Sequence, residues 1–215
     1  MTEAVVFDLD GVLLQSEEVW DAVRERYVRE RGGRYDEAVQ RAMMGMSAPE
    51  WSRYLHEEAG VPDAPQAINR DVVVRMLAAY RRELPLLPGA VEAVRRAAAA
   101  FPLGLASSSN REVFEAVLEL AGVAECFAAT VSSEEVERGK PAPDVYLEAA
   151  RRLGIAPGRC AAVEDSHAGI RSAKAAAMRV IAIPNASFPP DEEALAIADA
   201  VVGSLDELTV AVLRG

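Results

Sequence analysis

Two carboxylates follow the first apolar run of the chain and could do chemistry together. Asp8 and Asp10 come after AVVF at residues 4–7, with Gly11 directly behind them. Alternate residues of a strand share a face, so both carboxylates can enter one site. A turn stabilised by a carboxylate would need only Asp10. Asp8 directly follows Phe7, where a carboxylate is costly to desolvate without a partner. The pair predicts a nucleophile and a general acid–base beside Mg²⁺, with Gly11 bringing the backbone close to a ligand.

A second acidic pair, Glu164 and Asp165, follows the apolar run CAAV. Asp165 or Ser166 could cap the helix that begins next, but a cap explains only one acidic residue. Together with Asp8, the pair gives three carboxylates, which form the hard, oxygen-rich environment that Mg²⁺ takes. The sequence therefore predicts that these two segments meet at one metal site.

A run of serines follows the apolar segment LGLA. Asn110 is the better placed cap for the helix that follows. That leaves Ser107, and the backbone amides of Ser108 and Ser109, to bind phosphate oxygens at a helix N-terminus. These three serines are candidate phosphate-binding residues.

Lys140 lies in the loop segment GKP and departs from the basic composition of the chain. Of the 23 basic residues, only Lys140 and Lys174 are lysines. A loop lysine is usually a solvated charge, whereas a compact ammonium between Gly139 and Pro141 suits a phosphate group. We therefore predict that Lys140 offsets the repulsion between Asp8 and an anionic substrate.

Apolar runs alternate with helical patterns along most of the chain, which predicts an α/β fold with a doubly wound parallel sheet. The predicted strands cover 3–8, 101–110, 126–133, 159–166, 179–185 and 198–204. The predicted helices cover 89–100, 110–121, 143–153, 167–177, 191–197 and 204–213. The polar segments above fall at the carboxyl ends of strands or in loops beside them, where such sheets bind ligands.

Residues 16–84 break the alternation and contain no predicted strand. They are typical of four helices, at 17–31, 36–44, 48–59 and 66–83, separated by RERGGRY and AGVPDAP. We therefore predict an α/β core at 1–15 and 85–215, with a helical domain inserted at 16–84. The connections at 14–16 and 84–88 would act as hinges.

Composition limits the class of partner. The formal net charge is −11, which disfavours nucleic acid and anionic membranes. No signal-peptide pattern or membrane-length apolar run is visible, and Cys126 and Cys160 have no metal-ligand spacing. These features predict a cytoplasmic protein with two buried free thiols, and the expected oligomeric state is a monomer.

Four segments in order resemble the signature motifs of the haloacid dehalogenase (HAD) superfamily: VVFDLDGVLLQSE, LGLASSS, GKPAPDVY and VEDSHAGIRSAKAA. The helical insert after the first motif is similar to the branch containing β-phosphoglucomutase and phosphoglycolate phosphatase. The resemblance implies a HAD Rossmann-like core with a helical cap.

The resemblance also implies roles for individual residues. Asp8 would attack phosphorus, and Asp10 would protonate the leaving group and then activate water. Ser107 and Lys140 would hold the phosphoryl oxygens. Mg²⁺ would bind Asp8, the backbone carbonyl of Asp10, Asp165 and, directly or through water, Glu164.

Departures from the family pattern favour hydrolysis. Gln15 replaces the usual Asp and is expected to alter hinge geometry modestly. β-Phosphoglucomutases carry a His where this chain has Trp20, and near Ala48 an Arg that grips a second phosphate. Trp20 could contact substrate or pack in the cap core.

Several other residues have a functional and a structural interpretation. On the cap helices, Arg41, Arg70 and Arg75 are candidate substrate contacts, although most surface arginines are only solvated. We retain Arg70 and Trp20 as predicted substrate-binding residues. His56 and His167 are not expected to be catalytic.

The sequence thus predicts a Mg²⁺-dependent phosphatase of small phosphorylated metabolites, such as sugar phosphates, acting through an aspartyl phosphate. A β-phosphoglucomutase-like phosphomutase is the first alternative. A haloalkanoate dehalogenase needs no metal and lacks the second Asp, so Asp10, Glu164 and Asp165 count against it. An inert binding protein on the same fold would be expected to lack at least one transfer residue, and none is missing.

Overall fold

The computed structural model describes residues 1–43, 45–185 and 189–215. Its centre is a six-stranded parallel sheet with the strand order β3-β2-β1-β4-β5-β6. The strands are β1 (Ala4–Phe7), β2 (Leu103–Ser107), β3 (Phe127–Ser132), β4 (Cys160–Glu164), β5 (Arg179–Ala182) and β6 (Ala200–Val201). The predicted α/β fold with a doubly wound parallel sheet is confirmed.

The strand order places the polar segments together. The chain runs outward from β1 through β2 to β3, then returns to β4 on the other side of β1. β1 and β4 are therefore neighbours where the order reverses, the point at which such sheets bind ligands. Phe7 pairs with Val163, so Asp8 and Glu164 leave the sheet side by side.

Helices cover both faces of the sheet: α5 (Ala90–Ala98), α6 (Arg111–Leu120), α7 (Asp144–Leu153), α8 (His167–Ala175), α9 (Glu192–Ile197) and α10 (Val210–Arg214). Strand alternation decides which side chain meets which helix. Val5 and Phe7 pack in the hydrophobic cluster that contains residues of α5 and α6. Ala4 and Val6 pack in the opposite cluster, with α7 and α8. Burial on both faces explains why β1 is entirely apolar.

Between β1 and α5 lies the helical insert, formed by α1 (Glu17–Glu30), α2 (Glu37–Met43), α3 (Ala48–Glu57) and α4 (Pro65–Arg82). Its two connections to the sheet region run side by side. The amide of Gln15 donates to the carbonyl of Pro85 at 2.8 Å, and the amide of Leu87 donates to the carbonyl of Leu13 at 2.9 Å. The division into two domains stays a prediction, with both proposed hinges in contact.

Two local predictions need correction, and a third lies partly outside the described residues. The helix predicted at 204–213 begins only at Val210, because Arg96 binds the carbonyls of Leu205 and Leu208 and Thr209 caps the helix. Cys126 is half-buried, so only Cys160 is a buried thiol; both are free. Part of the helix predicted at 36–44 lies outside the described residues, at Met44.

Within the described ranges, no helix is long and apolar enough to cross a membrane.

Candidate functional site

Lys140 joins the ends of β1 and β4. Its Nζ donates to Asp8 Oδ1 at 2.6 Å and to Glu164 Oε1 at 2.6 Å. The Lys140 side chain is only 4% exposed, and both carboxylates are buried. Short charge-assisted hydrogen bonds of this kind are strong, and loss of one partner leaves a buried charge uncompensated. The loop lysine is therefore a central part of the site.

Glu164 already has hydrogen bonds on both carboxylate oxygens. Besides Lys140, the hydroxyl of Tyr146 donates to Oε1 at 2.7 Å. Oε2 accepts from the amides of Asp165 and Ser166 at 3.0 and 3.2 Å and from the Ser166 hydroxyl at 3.1 Å. A Cβ at Gly169 would overlap this carboxylate. Glu164 is held rigidly by α8 and α7, which suits it to orient Lys140.

Sequence reasoning missed Tyr146, which lies at the end of the motif GKPAPDVY without an assigned role. It is fully buried on the face of α7 that packs on the sheet. Buried tyrosines usually need a partner for the hydroxyl, and here that partner is a charged carboxylate. The single aromatic residue of a motif that carries the family resemblance was the available signal.

Asp8, Glu164 and Asp165 form the carboxylate cluster, in which one oxygen of each lies within 4.8 Å of the others. Burial raises the pKa of Asp8 to about 8, with Lys140 opposing that shift. Burial and the neighbouring carboxylates also raise the pKa of Asp165. Asp165 Oδ1 is buried and has no hydrogen-bond partner among the described residues. This donor set fits a hard cation such as Mg²⁺. A bound cation would reduce the repulsion between the three carboxylates and give Asp165 Oδ1 a partner.

The predicted role of Gly11 agrees with its surroundings. Its φ of +84° is in the left-handed region, and a Cβ there would overlap the carboxylate of Asp165. Glycine thus allows the turn after β1 to pass directly beside the carboxylate cluster.

The side chains of Ser107, Ser108 and Ser109 make different contacts. Ser109 Oγ donates to Asp10 Oδ2 at 2.6 Å, which fixes the orientation of that carboxylate. Ser107 is fully buried, and its hydroxyl accepts the amide of Ser109 at 3.0 Å, so that amide is already occupied. Ser108 lines the cavities described below. Phosphate binding by these residues stays a prediction, with Ser108 the best exposed to a ligand.

Asn110 begins α6, as expected, but its side chain does not cap the helix. Its Nδ2 instead donates to Asn69 Oδ1 at 3.0 Å and to Glu134 Oε1 at 2.7 Å. Asn69 belongs to α4, so Asn110 links the sheet region to the helical insert. The capping prediction was wrong because a tertiary contact engages the side chain.

Two small cavities meet above the strand ends. The strand-end cavity, about 100 Å³, is lined by Asp8, Asp10, Glu17, Gly45, Ser108, Lys140, Asp165, Ser166, His167 and Ala168. The insert pocket, about 70 Å³, is lined by Asp10, Glu17, Trp20, Arg24, Met43, Gly45, Met46, Trp51, Ser108 and Ser109. Asp10 and Glu17 line both cavities and therefore lie where the two cavities meet. His167 reaches the first cavity, whereas His56 bonds the carbonyl of Val61 elsewhere.

Trp20 packs within the helical insert and also lines the insert pocket, and its contact with substrate stays a prediction. It packs against Trp51 with ring centroids 6.2 Å apart, and the two rings form part of the insert pocket. Arg24 lies against both rings, with its guanidinium carbon 4.6 Å from Trp20 and 4.9 Å from Trp51. Sequence reasoning missed Arg24 and Glu17, because nothing in a helical pattern tells which polar residues face a pocket.

The predicted arginines of the helical insert lie elsewhere. Arg70 is exposed and lines neither cavity. Arg41 is exposed and pairs with Glu37, and Arg75 pairs with Glu30. Arg70 therefore lies outside both cavities, and its role in substrate binding stays a prediction without support from the described contacts.

The family model for haloacid dehalogenase-like hydrolases matches residues 2–177. Hexitol phosphatase B of Escherichia coli is 33% identical over 99% of this chain and 96% of its own length. The chain is also 32% identical to the bifunctional riboflavin kinase/FMN phosphatase of Arabidopsis thaliana and spans 54% of that protein. The chain belongs to the haloacid dehalogenase-like hydrolases, which confirms the predicted family and the predicted class of phosphoric monoester hydrolase.

Solved structures agree with this fold. CbbY from Rhodobacter sphaeroides in complex with xylulose-(1,5)bisphosphate has a TM-score of 0.89 and 29% identity, with full coverage of both chains. A β-phosphoglucomutase from Clostridium difficile has a TM-score of 0.84 at 22% identity, covering 100% of this chain and 96% of its own. The second likeness concerns the fold alone.

Proposed function

We propose that this haloacid dehalogenase-like hydrolase is a Mg²⁺-dependent phosphatase of small phosphorylated metabolites, sugar or polyol phosphates, acting through an aspartyl phosphate. The observation that carries the proposal is the bridging ammonium of Lys140 between Asp8 and Glu164, beside the buried Oδ1 of Asp165, which has no partner in the described ranges. Such a site neutralises an anionic group while holding a nucleophile in place, which is what phosphoryl transfer requires.

Asp8 is the proposed nucleophile. Lys140 holds its Oδ1, and no described residue donates a hydrogen bond to its Oδ2. The free oxygen would attack phosphorus, the P–O bond to the alcohol would break, and the phosphoryl group would remain on Asp8. Lys140 lines the strand-end cavity, so the same ammonium can contact the phosphoryl oxygens.

Asp10 is the proposed general acid and base. Ser109 fixes its Oδ2, while Oδ1 is buried without a partner in the described part of the chain. Its position at the junction of the two cavities would let it protonate the departing alcohol oxygen and then take a proton from the attacking water.

Asp8, Asp165 and the backbone carbonyl of Asp10 would hold Mg²⁺. Glu164 would contribute through water or by fixing Lys140, since its oxygens already accept hydrogen bonds. When bound, Mg²⁺ would neutralise charge on the transferring phosphoryl group.

The alternative is a phosphomutase, and two positions in the helical insert disfavour it. Trp20 is 5% exposed and packs on Trp51, and Ala48 is fully buried at the start of α3. Trp20 cannot do the work of the His that β-phosphoglucomutases carry there, and Ala48 cannot replace the Arg that binds a second phosphate. The helical insert would act as the cap, closing over the site to exclude water, and the protein is expected to work as a cytoplasmic monomer.

The test is phosphate release from hexose phosphates, polyol phosphates, phosphoglycolate and p-nitrophenyl phosphate, with Mg²⁺ and with EDTA. We expect release that needs Mg²⁺ and falls by at least about 10⁴-fold in Asp8→Asn, because the nucleophile is lost. Asp71→Asn, which changes an exposed carboxylate of α4, is the matched control. Wild-type turnover by Asp8→Asn would disprove the proposed nucleophile, and full activity in EDTA would disprove the metal requirement.

A further inference from the structure

Arg24 has an unusual environment for a basic residue of the insert. The side chain lies against the rings of Trp20 and Trp51 and lines the insert pocket. Its Nε is buried and has no hydrogen-bond partner among the described residues. Burial lowers the pKa of Arg24. A buried donor without a partner costs free energy, which a bound ligand with an acceptor can recover.

The charges around Arg24 restrict what that ligand can be. The carboxylates of Glu17, Asp10 and Asp21 lie near enough to act on its guanidinium. Glu17 and Asp10 also line the insert pocket, so this pocket holds two acidic groups and one basic group. A second phosphate or a carboxylate would meet both acids, whereas a hydroxyl group can accept from Arg24 and donate to Glu17.

We infer that Arg24 and Glu17 are specificity-determining residues that bind the hydroxyl groups of a neutral polyol or sugar leaving group. This inference rests on the proposed phosphatase function, since it assigns the phosphate to the strand-end cavity and the alcohol to the insert pocket. The enzyme would select monophosphates of polyols and discriminate against bisphosphates and phosphorylated carboxylic acids.

The geometry agrees with a short leaving group. The insert pocket is about 70 Å³, far smaller than the roughly 300–1,000 Å³ of pockets for drug-sized ligands. The Trp20 and Trp51 rings provide apolar walls that can contact the C–H faces of a polyol. Asp10 and Ser108 are shared with the strand-end cavity, so an ester oxygen at the junction would lie beside the proposed general acid.

The test compares glycerol phosphate with propyl phosphate, which has the same carbon chain but lacks the free hydroxyls. For the wild-type enzyme with Mg²⁺ we expect kcat/KM to favour glycerol phosphate by about 10- to 100-fold, the range for hydrogen bonds to charged groups. Arg24→Leu and Glu17→Leu should each lower that ratio at least about 5-fold, mainly through KM for glycerol phosphate. In both variants kcat/KM for propyl phosphate should fall less than kcat/KM for glycerol phosphate, because propyl phosphate offers no free hydroxyl to either side chain.

Arg53→Leu, which removes an exposed arginine of α3, is the matched control and should leave the ratio unchanged. If Arg24→Leu does not fold, Arg24→Gln and Glu17→Gln carry the same comparison, because they remove the charge and keep a polar side chain. A wild-type ratio near 1, or a ratio that the pocket variants do not lower, overturns the inference.

The two proposals fail in different ways. Absence of Mg²⁺-dependent release from every ester, propyl phosphate included, contradicts the phosphatase and the inference that depends on it. If the enzyme hydrolyses propyl phosphate but has a higher kcat/KM for phosphoglycolate or a sugar bisphosphate than for glycerol phosphate, the phosphatase function stands. The inference of a neutral leaving group is then overturned.

Discussion

The carboxylate cluster and the insert pocket differ in how their residues are held. In the carboxylate cluster, Asp8 directly follows β1 and Glu164 is the last residue of β4. Lys140 Nζ lies 2.6 Å from Asp8 Oδ1 and 2.6 Å from Glu164 Oε1. In the insert pocket, Arg24 lies against two tryptophans with a buried Nε that has no described hydrogen-bond partner. Lys140 therefore fixes two of the three carboxylates of the first region, whereas no described hydrogen bond fixes the Nε of Arg24 in the second.

This difference suggests that the two regions have separate functions. Paired charges at fixed strand ends suit a reaction that is the same for every phosphate ester. A pocket built from helical side chains can change its residues without disturbing the sheet, so it suits selection of the alcohol. Changes in the carboxylate cluster should therefore act on turnover, and changes in the insert pocket should act on selectivity.

After loss of the nucleophile in Asp8→Asn, the largest effect is expected from Lys140→Met. Loss of the ammonium leaves Asp8 and Glu164 uncompensated, so kcat should fall at least about 10³-fold and the free energy of unfolding by about 3–5 kcal/mol. Phosphate release and urea denaturation measure the two effects.

Lys174→Met is the matched control, because Lys174 is the other lysine and forms a partly exposed pair with Asp199. That pair should contribute no more than about 1 kcal/mol. Equal losses in the two variants would contradict a special role for the carboxylate cluster.

A smaller effect is expected from Trp51→Leu in the insert pocket. Loss of the ring contacts with Trp20 and Arg24 should destabilise the protein by about 2–4 kcal/mol and raise KM for polyol phosphates, with kcat reduced less. Melting temperature and steady-state kinetics check this.

Leu55→Ala separates stability from selectivity. Leu55 is fully buried in α3 but does not line the insert pocket. Leu55→Ala should lower the free energy of unfolding about as much as Trp51→Leu does, and it should leave KM for polyol phosphates unchanged. A rise in KM for Leu55→Ala as large as for Trp51→Leu would remove the distinction between pocket and packing.

The metal-free enzyme should become less stable as pH rises from about 4 to 8. The pKa of Asp8 is raised from 3.8 to about 8, so within this window folded Asp8 keeps its proton while the unfolded chain has released it. Unfolding then releases a proton, and higher pH favours the unfolded state. Added Mg²⁺ should raise the melting temperature more at pH 8 than at pH 5, by at least about 5 °C. An equal Mg²⁺ effect at both pH values would contradict the carboxylate cluster as the cation site.

The smallest effect is expected from Tyr146→Phe. It removes the hydroxyl that donates to Glu164 Oε1 at 2.7 Å and keeps the ring. Stability should fall by about 1–2 kcal/mol, and kcat by about 2- to 10-fold, because Glu164 still binds Lys140. Tyr54→Phe, in a partly buried ring of α3, is a control for the substitution itself. No change in either quantity would mean that Tyr146 does not position Glu164.

Most of the sheet and its acidic residues could be predicted from the sequence. Buried parallel strands are short apolar runs, and the polar residue at the end of each is adjacent in sequence to the strand that positions it. Asp8, Asp10, Glu164 and Asp165 were identified in this way, and the resemblance to a known family supplied their roles. The end of the chain was less predictable, because Arg96 binds loop carbonyls within the helix predicted at 204–213.

The sequence by itself therefore determined the fold class, the family and the strand-end residues of this protein, because local periodicity encodes strands and their ends. Only the tertiary structure decided that Lys140 bridges Asp8 and Glu164 from 132 and 24 residues away. It also placed Arg24, and not Arg70, in the insert pocket, because the orientation of a helix about its axis depends on what the whole domain packs against. Contacts between distant segments build both cavities of this site, and no local pattern records them.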